Sequence, residues 1–176
     1  NDKNSVEPNL AASAIAIIAQ NGDKDLHSEF FEKYTSSQIP QEKIRFLFSL
    51  SEFKSNDLIK ETLKLSLSEK IKNQDAPYLI ATAIRNYRHT KTAWNFVEQN
   101  WEKINKVFPN NTIPRMFGGI KSVSDKELAE RISLFFDKNP VPQGQKTIDQ
   151  NLEKMNINLK FVDHQSKILN NWLQDF

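Results

Sequence analysis

The sequence predicts an all-α protein, a stack of antiparallel helical hairpins with about nine helices. Three observations carry this expectation. Only 4 Gly and 7 Pro interrupt 176 residues, whereas an all-β chain needs a turn roughly every 8–12 residues. Apolar residues recur at helical rather than alternating spacing along most of the chain. Taken in pairs, the predicted helices repeat about every 30–35 residues, the period of a helical-hairpin solenoid, although no strict letter pattern repeats.

The elements follow in order. A first helix is predicted over Asn9–Gln20, its nearly continuous apolar face (Leu10, Ala14, Ile15, Ile17, Ile18) implying burial on most sides. Asn21-Gly22 ends it, with Gly22 expected in the left-handed cap conformation. A second helix starts at Asp23 and spaces Leu26, Phe30, Phe31 and Tyr34 along one side. Pro40 opens a third, which carries Ile44, Leu47, Phe48 and Leu50. Ser55-Asn56-Asp57 supplies capping oxygens for a fourth, with Leu58, Ile59, Thr62, Leu63 and Leu67 inward. Asp75 is the expected N-cap of a fifth, which tolerates Pro77 in its first turn and runs to Arg85.

A sixth helix is predicted from Thr90 to Val107, with Trp94 and Trp101 two turns apart on one core face. Pro114 opens a short seventh through Met116. Ser124 and Glu127 form a capping-box pattern at the start of the eighth, which buries Leu128, Ile132, Phe135 and Phe136. The last helix is predicted from Thr147, with Leu152, Met155, Leu159, Val162, Leu169 and Trp172 inward. The whole chain, 1–176, reads as a single domain. Its first hairpin opens without a polar capping repeat, so a further packed element is expected before residue 1.

Composition excludes several functions. With 24 Lys+Arg against 22 Asp+Glu the net charge is +2, and no basic stripe exists to bind nucleic acid. The longest apolar stretch, Leu10–Ala19, is too short for a membrane span. The absence of Cys removes disulfides, thiolate catalysis and Cys-ligated zinc, while the compartment stays open. The three His (His27, His89, His164) lie in no H-E-x-x-H pattern and read as surface residues. Carboxylate pairs such as Glu29/Glu32 and Glu127/Glu130 read as partners of neighbouring Lys. No catalytic and no metal-ligating residue is assigned. Arg45 is expected to pair with a nearby acid. Arg85 has two readings, a cation at a helix C-terminus or a donor facing a concave surface, and Arg115 is a weaker instance of the second.

Several segments resemble one family. IIAQNGDKDLHSEFFEKY (from Ile17), QEKIRFLFSLSEFKSNDLIKETLKLSLS, IKNQDAPYLI, TAWNFVEQNWEKINKVF and ELAERISLFFDKNPVP resemble, in order, motifs of the C-terminal helical domain of zinc aminopeptidases of the aminopeptidase N and puromycin-sensitive type. The resemblance runs from about Leu10 to Leu173, and the A-W-x-F-x-x-x-N-W helix is its most specific part.

It implies a HEAT-like bowl that closes over a catalytic domain and walls a peptide chamber. The family's H-E-x-x-H zinc site and G-x-M-E-N motif belong to an earlier domain, and neither motif occurs here. Zinc is therefore expected in that catalytic domain and no cofactor in this chain. The implied partners are the preceding catalytic domain and a peptide substrate. Relatives place a substrate-facing Arg on the helix after the Q-D turn. Here Ala81 occupies one such position and Arg85 lies one turn on, which makes Gln74, Arg85 and Arg115 the peptide-chamber candidates. The alternative is a free-standing helical-repeat scaffold that binds a protein partner on its concave face.

Overall fold

A computed structural model describes residues 7–174, and among them every regular element is helical. Ten α-helices form: α1 (Pro8–Gln20), α2 (Lys24–Ser36), α3 (Pro40–Ser49), α4 (Asn56–Ser66), α5 (Ala76–Arg85), α6 (Thr90–Gln99), α7 (Trp101–Val107), α8 (Ile113–Met116), α9 (Lys126–Lys138) and α10 (Gln145–Gln174). Phe117–Ser122 and Pro142–Gly144 are 3₁₀ segments. Neighbours in sequence pack together, α2 on α3, α4 on α5, and α5 on α6, which is compatible with stacked hairpins.

Helix α5 is the centre of the fold. It touches α3, α4, α6, α8 and the 117–122 segment, and seven of its ten residues, Ala76, Pro77, Leu79, Ile80, Thr82, Ala83 and Ile84, are buried. That enclosure requires close approach. A Cβ on Gly119 would collide with the Ala81 carbonyl oxygen and lie 2.8 Å from Ile84 Cβ, so only glycine lets the 3₁₀ segment lie against α5.

Local capping starts the helices as side-chain chemistry dictates. The Asp23 carboxylate accepts from the Leu26 amide at 3.0 Å and the Ser55 hydroxyl from Leu58 at 3.5 Å. Asp75 stands at the N-cap of α5 but makes no side-chain cap bond. The predicted Ser124–Glu127 box does not form. Asp125 is the N-cap instead and binds the Leu128 amide at 2.8 Å. A carboxylate there accepts the same exposed donor one residue later and adds a favourable charge at the helix N-terminus.

Other expectations are corrected. Gly22 has no positive φ; its value is size, since a Cβ would sit 2.5 Å from Leu26 Cδ2 and 2.7 Å from Phe53 Cε1. Helix α1 is not buried on most sides, for Leu10, Ile17 and Ile18 are 62 %, 61 % and 50 % exposed. The predicted helix 90–107 is two helices. At Asn100 the side-chain amide donates to the Phe96 carbonyl at 2.8 Å, and the backbone turns through φ −116°, ψ 15°, a local bond that competes with helix continuation. The break also re-aims Trp101. Trp94 is fully buried whereas Trp101 is only half-buried, yet both meet the Phe135 ring at 5.2 Å. Helix α10 begins at Gln145 rather than Thr147, and its predicted inward residues Leu169 and Trp172 are exposed because α10 runs beyond the body it packs on.

Candidate functional site

Two of the three candidates from the sequence stand at opposite ends of α5. Gln74 lies exposed in the turn before α5 and Arg85 is the exposed last residue of α5, so about 15 Å of helix separates them. Arg115 is exposed on α8, which packs against α5. Among the described residues none of these side chains enters a hydrogen bond or ion pair. Only main-chain atoms of Arg85 and Arg115 are engaged, the Arg85 carbonyl accepting from Ser122 Oγ at 3.5 Å. Arg85 thus meets the requirement of a helix-terminal cation and also keeps its five donors available. Arg45 forms no ion pair among the described residues; its charge contributes a minor part of lowering the Glu7 carboxyl, which is held chiefly by backbone hydrogen bonds at the start of α1.

A polar cluster that sequence spacing did not reveal joins α6 to α9. The buried Trp94 indole donates from Nε1 to Glu98 Oε1 at 2.8 Å. Arg131 forms an ion pair with the other Glu98 oxygen and donates to Asn95 Oδ1 at 2.9 Å. One carboxylate therefore serves an indole and a guanidinium together. The cluster borders an open groove lined also by Trp101, Phe135 and Lys138, a mixture of ring faces and cations. Glu98 and Arg131 are 33 residues apart, so no local pattern pairs them. The available signal is the scarcity of Arg, one of only five, on a helix whose other face is apolar.

Two of the three His are structural, which corrects the expectation of surface residues. His27 is 2 % and His89 4 % exposed. Thr62 Oγ1 donates to the Leu50 carbonyl at 3.2 Å and hence accepts from His27 Nε2 at 2.8 Å. His89 Nε2 donates to the Phe53 carbonyl at 2.9 Å, and Asn86 Nδ2 to that of Ser51 at 2.9 Å. The connection between α3 and α4 carries carbonyls with no helical partner, and these side chains satisfy them. Burial holds both imidazoles below their ordinary pKa, with the Arg88 charge adding to the effect at His89. His89 Nδ1 is buried without a hydrogen bond. Among the described residues no three His, Asp or Glu side chains are grouped to hold a metal. No described helix is long and apolar enough to cross a membrane.

The family model described as the ERAP1-like C-terminal domain matches residues 1–157. Aminopeptidase M1-C of Oryza sativa subsp. japonica is 31 % identical over 134 residues, covering 74 % of this chain and 15 % of that protein. Endoplasmic reticulum aminopeptidase 2 of Bos taurus is 29 % identical over 172 residues, 94 % of this chain and 18 % of that protein. Aminopeptidase M1 of Arabidopsis thaliana is 26 % identical over 156 residues, 86 % and 18 % respectively. The chain spans less than a fifth of the length of these curated relatives.

Proposed function

Because the chain belongs to the ERAP1-like C-terminal domain family, we propose that it is the non-catalytic C-terminal domain of a zinc-dependent aminopeptidase, where it walls the peptide chamber and restricts access to it. The observation that carries this reading is the family match, together with relatives named as aminopeptidases of which the chain matches only a small part. The zinc belongs to the catalytic domain on this reading. This chain's own residues do not fit a zinc site, since His27 and His89 are consumed by carbonyls and hydroxyls of the fold and no described donor set groups around a metal. In the whole enzyme zinc would activate water and polarise the scissile carbonyl.

The exposed apolar edge of α1, formed by Leu10, Ile17 and Ile18, supports a partner in the same polypeptide, because a helical repeat buries its open face against its neighbour. Gln74, Arg85 and Arg115 are the chain's contribution to the chamber wall. Their free donors are available to peptide carbonyls or a carboxylate without first breaking an internal pair. Reading the coding sequence upstream of Asn1 tests the proposal. An in-frame H-E-x-x-H followed about 20 residues later by Glu supports it. An initiation site directly before Asn1 overturns it.

A further inference from the structure

The connection between α3 and α4 is irregular yet enclosed. Leu50, Ser51 and Phe53 are fully buried, so their carbonyls depend on donors from elsewhere in the chain. Those donors come from α4, from the end of α5 and from the start of α6. Thr62 Oγ1 serves the Leu50 carbonyl, Asn86 Nδ2 that of Ser51, and His89 Nε2 that of Phe53. His27 of α2 completes the set, because its Nε2 donates to Thr62 Oγ1 at 2.8 Å and leaves the Thr62 hydroxyl proton for Leu50. Phe53 therefore stands between two buried imidazoles. Its ring meets the His27 ring edge-on with centroids 5.1 Å apart, and its carbonyl accepts from His89.

In each imidazole the hydrogen-bonded nitrogen is Nε2, so an added proton goes to Nδ1. At His89 that atom is buried and has no hydrogen-bond partner. The charged groups that act on the two rings oppose one another. Glu61 of α4 favours the charged form of His27, whereas Arg88 disfavours that of His89. The Phe53 and Lys54 carbonyls favour a charged His89, but burial outweighs them, as it outweighs Glu61 at His27.

We propose that the 50–53 connection is an acid-operated hinge: when His27 and His89 both take up a proton, the block of α1–α3 opens from α4–α6 as a unit. The block holds together through α2 on α3 and α1 on α3, and it meets the centre of the fold through α3 on α5. Positive rings on either side of one phenylalanine carry the cost of burial and of mutual repulsion together. Opening relieves both by returning the imidazoles to water, and it exposes less surface than unfolding the whole chain. Between pH 7.5 and pH 5.5, one imidazole freed to its ordinary pKa of about 6.5 raises the opening equilibrium about 10-fold, and two raise it about 100-fold.

Hydrogen exchange of the whole chain at these two pH values, corrected for intrinsic exchange and read helix by helix by mass spectrometry, tests the hinge. Amides of α2 and α3 should share one protection factor that falls about 100-fold. Those of α5 and α9 should stay better protected at both pH values, because they open only with the entire fold. In His27→Gln and in His89→Gln the fall should be about 10-fold, since glutamine keeps a donor but takes up no proton. In the double variant it should vanish, and a full 100-fold fall there would overturn the assignment to these two rings. Equal protection of α2, α3, α5 and α9 in the wild-type chain at pH 5.5 would mean that the domain unfolds as a whole, and the hinge would be wrong. Protection of α2 and α3 that does not change with pH would overturn it as well, and neither wild-type comparison needs a variant to fold.

Discussion

Glu98 shows how one side chain is committed twice. Its carboxylate accepts from the buried Trp94 indole and pairs with Arg131, so Glu98→Ala leaves an indole N–H without its acceptor. The expected loss is about 1–3 kcal/mol of unfolding free energy, read from urea denaturation. Arg131→Ala should cost less, because its side chain is 35 % exposed and water replaces part of what the pair supplied. Gly119→Ala should destabilise by about 1–3 kcal/mol as well, since the added methyl meets the Ala81 carbonyl rather than a movable side-chain tip.

The buried histidines give a pH dependence with a definite sign. Both imidazoles have folded-state pKa values depressed below the ordinary 6.5 by burial. The unfolded chain then binds more protons than the folded one as pH falls through 6.5. Stability is complete above that pH and declines below it until the depressed folded values are passed. The urea midpoint should fall between pH 7.5 and pH 5, and His89→Gln should flatten that slope. A slope unchanged in the variant would mean that the 50–53 connection is not where the proton is resisted.

Arg85 is the residue through which the proposed chamber is tested. In the full enzyme, Arg85→Ala should lower kcat/KM for longer members of a dipeptide-to-decapeptide series by about 10-fold or more, the worth of a charge-assisted bond of roughly 1.5–3 kcal/mol, and spare single-residue chromogenic substrates. A cation that serves only its own helix end would instead change stability by about 0.3–1 kcal/mol with no dependence on length. Equal effects at all lengths would remove Arg85 from the chamber.

At the scale of elements, two expectations turned on a single residue each. The capping-box pattern alone puts the start of α9 one residue early, because Ser124 and Asp125 are both good N-cap residues and only the backbone turn decides between them. Asp125→Ala should therefore cost about 1 kcal/mol and Ser124→Ala only a few tenths, measured as a shift in thermal midpoint. The interruption at Asn100 was invisible for a similar reason. Periodicity alone carries Trp94 and Trp101 on one face, while the asparagine amide ends α6 through a bond to Phe96. Trp94→Ala, at a fully buried site, should then cost about 3–5 kcal/mol, and the half-buried Trp101→Ala clearly less. Equal losses would mean that the break does not unload Trp101.

For the whole molecule, the sequence alone determined the fold class, the position of nearly every helix and most of the core. Those properties are written locally, in the 3.6-residue spacing of apolar side chains and in the few Gly and Pro that end each run. The family was legible too, because motifs such as A-W-N-F-V-E-Q-N-W keep their order along the chain. Tertiary structure decided what depends on partners about 35 residues away. His27 meets Thr62, Asn86 meets Ser51, His89 meets Phe53, and Arg131 meets Glu98 at separations of 33 to 36 residues, one hairpin repeat along the chain. A polar side chain does not announce whether it faces water or the preceding hairpin, and that is why two histidines assigned to the surface lie in the core. Nor does an apolar stripe announce whether its own chain covers it. Helix α1 looks as apolar as the central α5, yet its Leu10, Ile17 and Ile18 are exposed while seven of the ten α5 residues are buried.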